Sequence, residues 1–251
     1  MELLAIYDRP VRLLFRDMLA ELAPEKGRAF ARQEAISWFT EHYPKVKDGT
    51  VTAHLLRFST NSRSRVYYGP RPDEDILFQI DRSHFRLYDP ATDPPPLRRK
   101  LDASPAASGQ EEELEEEEVP PSEFAYESDL RDFLAKDLTI IERGLQLYEE
   151  EGVTGVEFPV GGRFVDILGR DAQNRLVVIE LKVSRGYDRV VGQLLRYMAW
   201  IDKHQAEPDQ GVRGVIVARE ISEDLKLACS SIPDVELFEY ELSVVLHNVE
   251  V

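Results

Sequence analysis

The 251-residue sequence has a single cysteine, Cys229. One thiol cannot form an intrachain disulfide or a cysteine-based zinc site, so the sequence fits a reducing compartment. Cys229 lies in a helical pattern, and we interpret it as a packing residue. No apolar run approaches the ~18 residues of a membrane-spanning helix, and the first residues lack the basic-then-apolar pattern of a signal peptide. We therefore expect a soluble, cytoplasmic protein with no membrane partner.

Two further motifs are missing from the sequence. There is no G-x-x-x-x-G-K-[S/T] loop, which disfavours helicase-type phosphate chemistry. The histidines lack the spacing of metal ligands, and we interpret them as ordinary surface or core residues. They are His42, His54, His84, His204 and His247.

Basic residues are outnumbered, since 31 Lys and Arg stand against 47 Asp and Glu and give a formal net charge of −16. The imbalance is unevenly distributed. Residues 1–100 carry a net charge of +3, residues 101–150 one of −13, and residues 151–251 one of −6. The first hundred residues are therefore mildly basic, and we expect this part to contact the phosphate backbone of a nucleic acid.

The first ninety residues are predicted to form three helices followed by short strands. An amphipathic helix is predicted over residues 8–22, with Asp8 as its N-cap. A second helix covers residues 32–42, and a third opens at Thr50 after a turn. Strands separated by turn residues are predicted at 64–68, 75–80 and 85–88. This order predicts a small α+β winged-helix domain over residues 1–89.

Basic and amide side chains cluster on and around the predicted third helix and the strands after it. Such side chains suit phosphates and base edges, so we predict that this domain binds DNA. A solvated polar face and a protein-docking module are the alternatives. The predicted contacts are Lys45, Lys47, Thr50, Thr52, His54, Arg57, Asn61, Arg63 and Arg65.

A linker is predicted over residues 90–122. It is rich in proline and contains the acidic run 111–118. Dense charge with few apolar residues cannot bury enough surface to fold, so we interpret it as a solvating tether between two domains. The alternative is autoinhibition, in which the acidic run occupies a basic DNA-binding surface as a polyanion.

The stretch 164–182 is predicted to form two adjacent strands of a hairpin, with turn residues at 171–174. Side chains alternate along a strand, so Glu180 and Lys182 point to the same face, and Asp166 is the third charged residue on the neighbouring strand. Charges on an apolar sheet face are costly unless they are paired. Two carboxylates and an ammonium could hold a hard divalent cation with its water; a buried structural salt bridge is the alternative.

The remaining elements predict an α/β domain over residues 123–251. Helices are predicted over 122–138, 187–204 and 222–230, and strands over 156–160, 211–218 and 235–241. Strand, helix, strand, helix and strand in succession imply parallel pairing beside the initial hairpin. The expected architecture is a mixed sheet flanked by helices.

Three separated blocks of this domain resemble one known family. The spacing Asp166-x13-Glu180-x-Lys182 is that of the PD-(D/E)xK nuclease superfamily. The blocks Gly161-Gly-Arg-Phe-Val-Asp-Ile-Leu, Val178-Ile-Glu-Leu-Lys and Gly192-Gln-Leu-Leu-Arg-Tyr, in this order, are similar to the nuclease domain of the NucS/EndoMS group. The resemblance covers roughly residues 123–251 and implies a restriction-endonuclease-like fold. The first ninety residues resemble winged-helix modules generally.

The resemblance implies roles for individual residues. Asp166, Glu180 and the carbonyl of Leu181 would coordinate Mg²⁺ or Mn²⁺, which prefer oxygen ligands. Lys182 would orient or activate the attacking water. Gln193 would hold that water or the scissile phosphate.

Two helices are implied to contribute further site residues. Glu127, near the start of the first helix of this domain, would complete the metal shell or bind a second ion. Gln193, Arg196 and Tyr197 are spaced i, i+3 and i+4 and share a face that borders the site in the resembling family. Arg196 could pair with a phosphate bidentately, and an ion pair with an acidic neighbour is the alternative.

The observations and the resemblance predict a metal-dependent DNA endonuclease that is targeted by an N-terminal winged helix and acts in restriction, defence or repair. The resemblance implies products with 5′-phosphate and 3′-hydroxyl ends. NucS-like enzymes work as dimers through an N-terminal domain of a different kind, so a homodimer and a mismatch-repair role are both left open. The alternatives are a non-catalytic DNA-binding regulator with a degenerate nuclease fold and an RNA-processing nuclease.

Overall fold

The computed structural model describes residues 7–98, 121–186 and 189–241, with the side chains of all of these except 121–126 and 184–186. The acidic run 111–118 and the first two residues of the helix predicted over 187–204 lie outside the described residues. Within the described ranges, no helix is both long enough and apolar enough to cross a membrane.

The N-terminal part is an α+β unit. Its elements are α1 (Val11–Leu22), β1 (Phe30–Ala31), α2 (Arg32–His42), α3 (Asp48–Phe58), β2 (Leu77–Gln79) and β3 (His84–Leu87). The strands pair antiparallel in the order β1-β3-β2. The apolar stripe of α1 faces inward, since Leu14, Phe15 and Met18 are buried. This arrangement is compatible with a winged helix, which stays a prediction.

Several local predictions in this part are wrong. Residues Ser64–Tyr68 form a 3₁₀ helix and not a strand. α3 begins at Asp48 rather than at Thr50, and α1 begins after Pro10, so Asp8 does not cap it. Aromatic and β-branched residues favour strands only weakly, and here packing of the 3₁₀ helix against the C-terminal part overrides that preference.

The C-terminal part is built around a mixed sheet. Its elements are α4 (Pro121–Leu134), β4 (Gln146–Leu147), β5 (Glu149–Glu150), β6 (Val153–Thr154), β7 (Val156–Val160), β8 (Arg163–Arg170), β9 (Leu176–Gly186), α5 (Arg189–His204), β10 (Val212–Ile221), α6 (Glu223–Cys229) and β11 (Val235–Glu239). β7, β8 and β9 are antiparallel neighbours, and β10 and β11 continue from β9 in parallel. The mixed α/β sheet flanked by helices, predicted from the sequence, is confirmed.

The hairpin of β8 and β9 forms as predicted. Ile167 pairs with Ile179 across the two strands. The turn is closed by Asp171, whose Oδ1 accepts hydrogen bonds from the backbone N–H groups of Gln173 and Arg175. A carboxylate that bonds its own following backbone is a common way to fix a tight turn, and it fixes the register of the two strands.

The two parts pack against each other through α3. One continuous cluster of buried apolar side chains extends from α1, α2 and α3 into the C-terminal sheet, and includes Phe58 and Phe158. Gly49 permits the close approach, because a Cβ at this position would lie 2.3 Å from Oε1 of Gln205 and 2.9 Å from Cζ of Phe158. The N-terminal part is therefore docked on the sheet by its third helix.

The start of the predicted linker also packs on the N-terminal part. The backbone N–H of Leu97 donates to the carbonyl of Thr60 at 2.8 Å. Arg86 pairs with Asp93 at 2.5 Å. Arg98 pairs with Asp75. Contacts with the N-terminal part therefore extend to residue 98, beyond the boundary predicted at residue 89.

Candidate active site

The three charged residues of the hairpin lie together on one sheet face. Nζ of Lys182 is 3.2 Å from Oε1 of Glu180. Oδ2 of Asp166 accepts a hydrogen bond from the backbone N–H of Leu181 at 2.9 Å, which holds this carboxylate beside β9. The sequence-predicted convergence of the three side chains is thus present in the structure.

Helices α4 and α5 each add a polar side chain to this group of charged residues. Oε1 of Glu127, on α4, lies 3.5 Å from Nζ of Lys182. Nε2 of Gln193, on α5, donates to Oε1 of Glu180 at 2.5 Å and to the hydroxyl of Tyr197 at 3.2 Å. Both helices therefore orient their side chains toward the charged group on the sheet.

The environment shifts the protonation of these groups. Burial, together with the charge of Asp166, raises the pKa of Glu180 to about 8 despite the neighbouring Lys182. Burial also raises the pKa of Glu127, again against the influence of Lys182. Burial disfavours the charged form of Lys182, but the carboxylates of Glu180, Glu127 and Asp166 outweigh it and raise the pKa of this ammonium. Lys182 is a positive charge at neutral pH.

Oε2 of Glu180 has no hydrogen-bond donor among the described residues. Glu180 is 2% exposed, and its Oε2 accepts no hydrogen bond from any residue in the described part of the chain. A buried carboxylate oxygen without a partner is costly, and this oxygen is available to coordinate a ligand. The same part of the chain contains no group of three His, Cys, Asp or Glu side chains arranged to hold a metal ion. The oxygen donors of Asp166 and Glu180 nevertheless fit a hard divalent cation chemically.

The exposed face of α5 carries Arg196. Its guanidinium carbon lies 5.9 Å from the ring centroid of Tyr197, which is buried. Arg196 forms no ion pair with any described residue, so the structural alternative considered for it is not observed. Leu195, an apolar residue of the same helix, is 37% exposed. The helix is rotated so that this position faces solvent while Leu194 faces inward.

The predicted DNA contacts on α3 are not on a surface. Thr50, Thr52 and Arg57 are buried, because α3 packs against the C-terminal part. The hydroxyl of Thr50 donates to Oε2 of Glu150 at 3.0 Å, and that of Thr52 donates to the carbonyl of its own helix at Asp48. The expectation that these side chains face DNA is therefore corrected.

The buried arginines of this region are paired internally. Arg57 binds both carboxylate oxygens of Glu74 and donates to the carbonyl of Gly152 at 2.5 Å. Arg65 is 0% exposed and pairs with Asp75 at 2.7 Å. Nε and Nη1 of Arg65 have no hydrogen-bond partner among the described residues. Both guanidinium groups are buried and cannot reach a phosphate, so the prediction that they bind DNA is wrong.

The other predicted contacts of this part have mixed surroundings. His54 is fully buried and its Nδ1 lies 2.9 Å from the carbonyl of Thr50, so it is a core residue. Lys47 pairs with Glu207 at 3.3 Å. Of the remainder, Lys45 is exposed, while Asn61 and Arg63 are half-buried. DNA binding by these residues stays a prediction.

Sequence reasoning missed one residue beside the site, Arg131. It lies one helical turn after Glu127 on α4, and its Nη1 is 3.6 Å from Oδ1 of Asp166. The spacing of four residues could have revealed it, since residues i and i+4 share a helix face. Its other partners, Tyr67 and Glu157, are distant from it in the sequence, so no local pattern indicates these contacts.

The mixed sheet and the charged group on its face form the arrangement that the resemblance to a nuclease family predicted. Residues 126–231 match the family described as Endonuclease NucS C-terminal domain. The C-terminal part is therefore similar to the C-terminal domain of that endonuclease. Residues 10–87 match a separate family, described as Domain of unknown function (DUF7669).

Individual relatives match the same part. The chain is 34% identical over 110 residues to Endonuclease NucS of Sulfolobus acidocaldarius, an alignment that covers 43% of this chain and 40% of that protein. It is 36% identical over 95 residues to Endonuclease NucS of Kocuria rhizophila, covering 38% and 37% of the two chains. The alignment thus spans about 40% of the length of these relatives.

Two solved structures also match part of the chain. A repair endonuclease from Pyrococcus abyssi superposes with a TM-score of 0.37 at 24% identity, covering 51% of this chain and 50% of that chain. An EndoMS complex with double-stranded DNA superposes with a TM-score of 0.38 at 25% identity, covering 53% and 49%.

Proposed function

We propose that this protein is a metal-dependent DNA endonuclease that hydrolyses phosphodiester bonds at the face formed by Asp166, Glu180 and Lys182. The observation that carries the proposal is the position of these side chains on one sheet face, where Lys182 contacts Oε1 of Glu180. The other oxygen, Oε2, is buried without a hydrogen-bond donor among the described residues. The resemblance to the NucS/EndoMS group favours DNA as the substrate over RNA.

Asp166 and Glu180 would hold Mg²⁺ or Mn²⁺, with the Leu181 carbonyl as a further ligand. When bound, such an ion polarises a phosphate oxygen and lowers the pKa of its water. Glu127 would extend the set of carboxylates around the ion. Gln193 supports this role of Glu180, because its amide N–H binds Oε1 and leaves Oε2 available to coordinate the ion.

Lys182 would supply a permanent positive charge to the reaction. Because the surrounding carboxylates raise its pKa, it is protonated at neutral pH and is better suited to stabilise charge on phosphorus than to remove a proton. It would also orient the attacking water by donating a hydrogen bond. Arg196 is exposed on α5 and has no ion pair with any residue that the structure describes. It would contact a phosphate of the substrate next to the cleaved bond.

The test is cleavage of supercoiled plasmid, single-stranded DNA and RNA with Mg²⁺ or Mn²⁺, comparing wild type with Asp166→Ala. Asp224→Ala, at an exposed position on α6, is the matched control. We expect metal-dependent cutting of DNA by wild type and the control, and none by Asp166→Ala. Equal cutting by Asp166→Ala would assign the activity to another site, and preferred cutting of RNA would favour the RNA-processing alternative.

The same plasmid assay addresses the oligomeric state. One active site cuts one strand, so a monomer should convert supercoiled plasmid to the nicked form before any linear form appears. Direct appearance of linear product would support a homodimer.

The alternative of a non-catalytic DNA-binding regulator loses support from the burial of α3, because the helix that would read DNA is covered by the C-terminal part.

A further inference from the structure

Arg131 is held from both parts of the molecule. Its Nη2 donates to the hydroxyl of Tyr67 at 2.9 Å and lies 2.8 Å from Oε1 of Glu157. Its guanidinium carbon is 5.4 Å from the ring centroid of Tyr67. Tyr67 belongs to the 3₁₀ helix of the N-terminal part, whereas Glu157 is on β7. The other terminal nitrogen, Nη1, lies 3.6 Å from Oδ1 of Asp166.

Glu157 is itself fixed by the N-terminal part. Its Oε2 accepts a hydrogen bond from the hydroxyl of Ser64 at 3.1 Å, and its carbonyl accepts one from the hydroxyl of Tyr68 at 3.3 Å. Its backbone has a φ of +47°, which a residue with a side chain rarely adopts. Such a conformation persists only where the surroundings enforce it. The two contacts from the 3₁₀ helix, made by Ser64 and Tyr68, are surroundings of this kind.

The strand register shows why an arginine is needed here. β7 and β8 pair Val156 with Ile167 and Phe158 with Val165, so Glu157 falls opposite Asp166. Two carboxylates at opposite positions of neighbouring strands repel each other. Arg131 contacts both carboxylates and removes this repulsion.

We propose that Arg131 is a positioning residue for Asp166, and that Tyr67 sets the orientation of its guanidinium, so that docking of the N-terminal part completes the active site. The catalytic role of Asp166 rests on the proposed function. A guanidinium is a rigid planar fork. With Nη2 held by Tyr67 and Glu157, the direction of Nη1 toward Asp166 is determined.

The first test uses Tyr67→Phe, which changes no charge and removes only the hydroxyl that binds Arg131. We expect kcat to fall about fivefold, roughly the effect of one lost hydrogen bond, with KM unchanged. Tyr88→Phe is the matched control, since its hydroxyl donates to the carbonyl of Pro94 within the N-terminal part. An unchanged kcat in Tyr67→Phe would overturn the proposal.

A second test separates positioning from charge. Arg131→Gln and Arg131→Lys are compared for Mn²⁺ affinity by calorimetry without DNA. A purely electrostatic role predicts tighter Mn²⁺ binding in Arg131→Gln and normal binding in Arg131→Lys. Positioning predicts weaker binding in both variants, because lysine keeps the charge but lacks the fork. Tighter binding in Arg131→Gln would contradict the proposal.

A third measurement needs neither metal nor activity. Melting temperatures are determined for Tyr67→Phe, Asp166→Asn and the double variant, in the wild-type chain and again with Arg131→Gln. We expect non-additive shifts in the first set and additive shifts in the second. Additive shifts in the wild-type chain, or non-additivity that survives loss of Arg131, would overturn the coupling. If the wild type cuts no substrate, the proposed function fails while this measurement still decides the coupling.

Discussion

The molecule buries charge in two regions, and the two differ in how the charge is compensated. Beside α3, the guanidinium of Arg57 binds both oxygens of Glu74 and a carbonyl, so every nitrogen has a partner. On the sheet face, Lys182 is shared by Glu180 and Glu127, and Oε2 of Glu180 has no donor among the described residues. The first region is balanced, and the second has an excess of carboxylate.

This difference separates structural charge from functional charge. A buried ion pair whose hydrogen bonds are all made is complete and has nothing to offer a ligand. A buried carboxylate with a pKa raised to about 8 is destabilising as it stands and gains by binding a cation. Both regions have the same kinds of residue in sequence, so the partners and not the residue types decide the role.

The largest expected effect is on catalysis at the unbalanced region. Lys182→Ala should lower kcat for DNA cleavage by on the order of 10³-fold, because the transition state loses a buried positive charge. Lys226→Ala, in an exposed pair with Glu223, should cleave at the wild-type rate. Single-turnover cleavage of a labelled duplex measures both. A loss below tenfold in Lys182→Ala would remove Lys182 from the mechanism.

In the balanced region, removing one member of an ion pair should lower the stability of the fold. Glu74→Ala leaves Arg57 buried without its carboxylate, so we expect the free energy of unfolding to fall by about 3–4 kcal/mol. Urea unfolding measures it, and Asp73→Ala, at an exposed neighbouring position, should stay within about 0.5 kcal/mol of wild type. A loss below 1 kcal/mol in Glu74→Ala would mean that the pair is not buried in solution.

His54 provides a pH test of the same region. Burial lowers its pKa to about 4, below the usual 6.5. The unfolded chain therefore binds a proton between pH 6.5 and 4 while the folded chain does not, and stability falls as the pH is lowered. The full loss is about 3 kcal/mol. His54→Leu should lose this part of the pH dependence in urea unfolding, whereas His42→Leu, at an exposed position, should keep it; identical profiles for the two would contradict the burial.

A gain in stability of similar size is expected at the unbalanced region. Because the folded-state pKa of Glu180 is raised, the folded chain retains a proton between about pH 4.5 and 8 that the unfolded chain releases, so stability falls as the pH rises through this window. Glu180→Gln should therefore raise the free energy of unfolding at pH 7 by about 3 kcal/mol without metal.

Glu223→Gln, at an exposed position of α6, is the control for this variant and should be neutral. Added Mn²⁺ should stabilise wild type but not Glu180→Gln. A variant that is less stable than wild type without metal would show that the Glu180 carboxylate is adequately compensated, and would weaken the contrast between the two regions.

Much of the candidate site could be predicted because its determinants are local. The period of two along β9 places Glu180 and Lys182 on one face, and the turn at Asp171 brings Asp166 beside them. Helical spacing likewise grouped Gln193 with Tyr197. These relations involve residues that are close in the chain or paired by a short turn.

What could not be predicted depends on contacts between distant segments. Thr50 and Arg57 have the composition of an exposed recognition helix, and only the docking of α3 on the sheet shows that they are interior. The link from Tyr67 to Arg131 joins residues 64 positions apart. No local pattern specifies such a contact, because its geometry is set by the packing of two sheets and several helices.

The continuous apolar cluster beneath α3 has a consequence for how the chain unfolds. Phe58 and Phe158 belong to one cluster, so neither part retains a complete core when the other is lost. Such a chain should melt in one cooperative transition, with calorimetric and van't Hoff enthalpies in agreement, rather than in the two steps expected of tethered modules. The segment between the two parts would then join halves of a single folding unit.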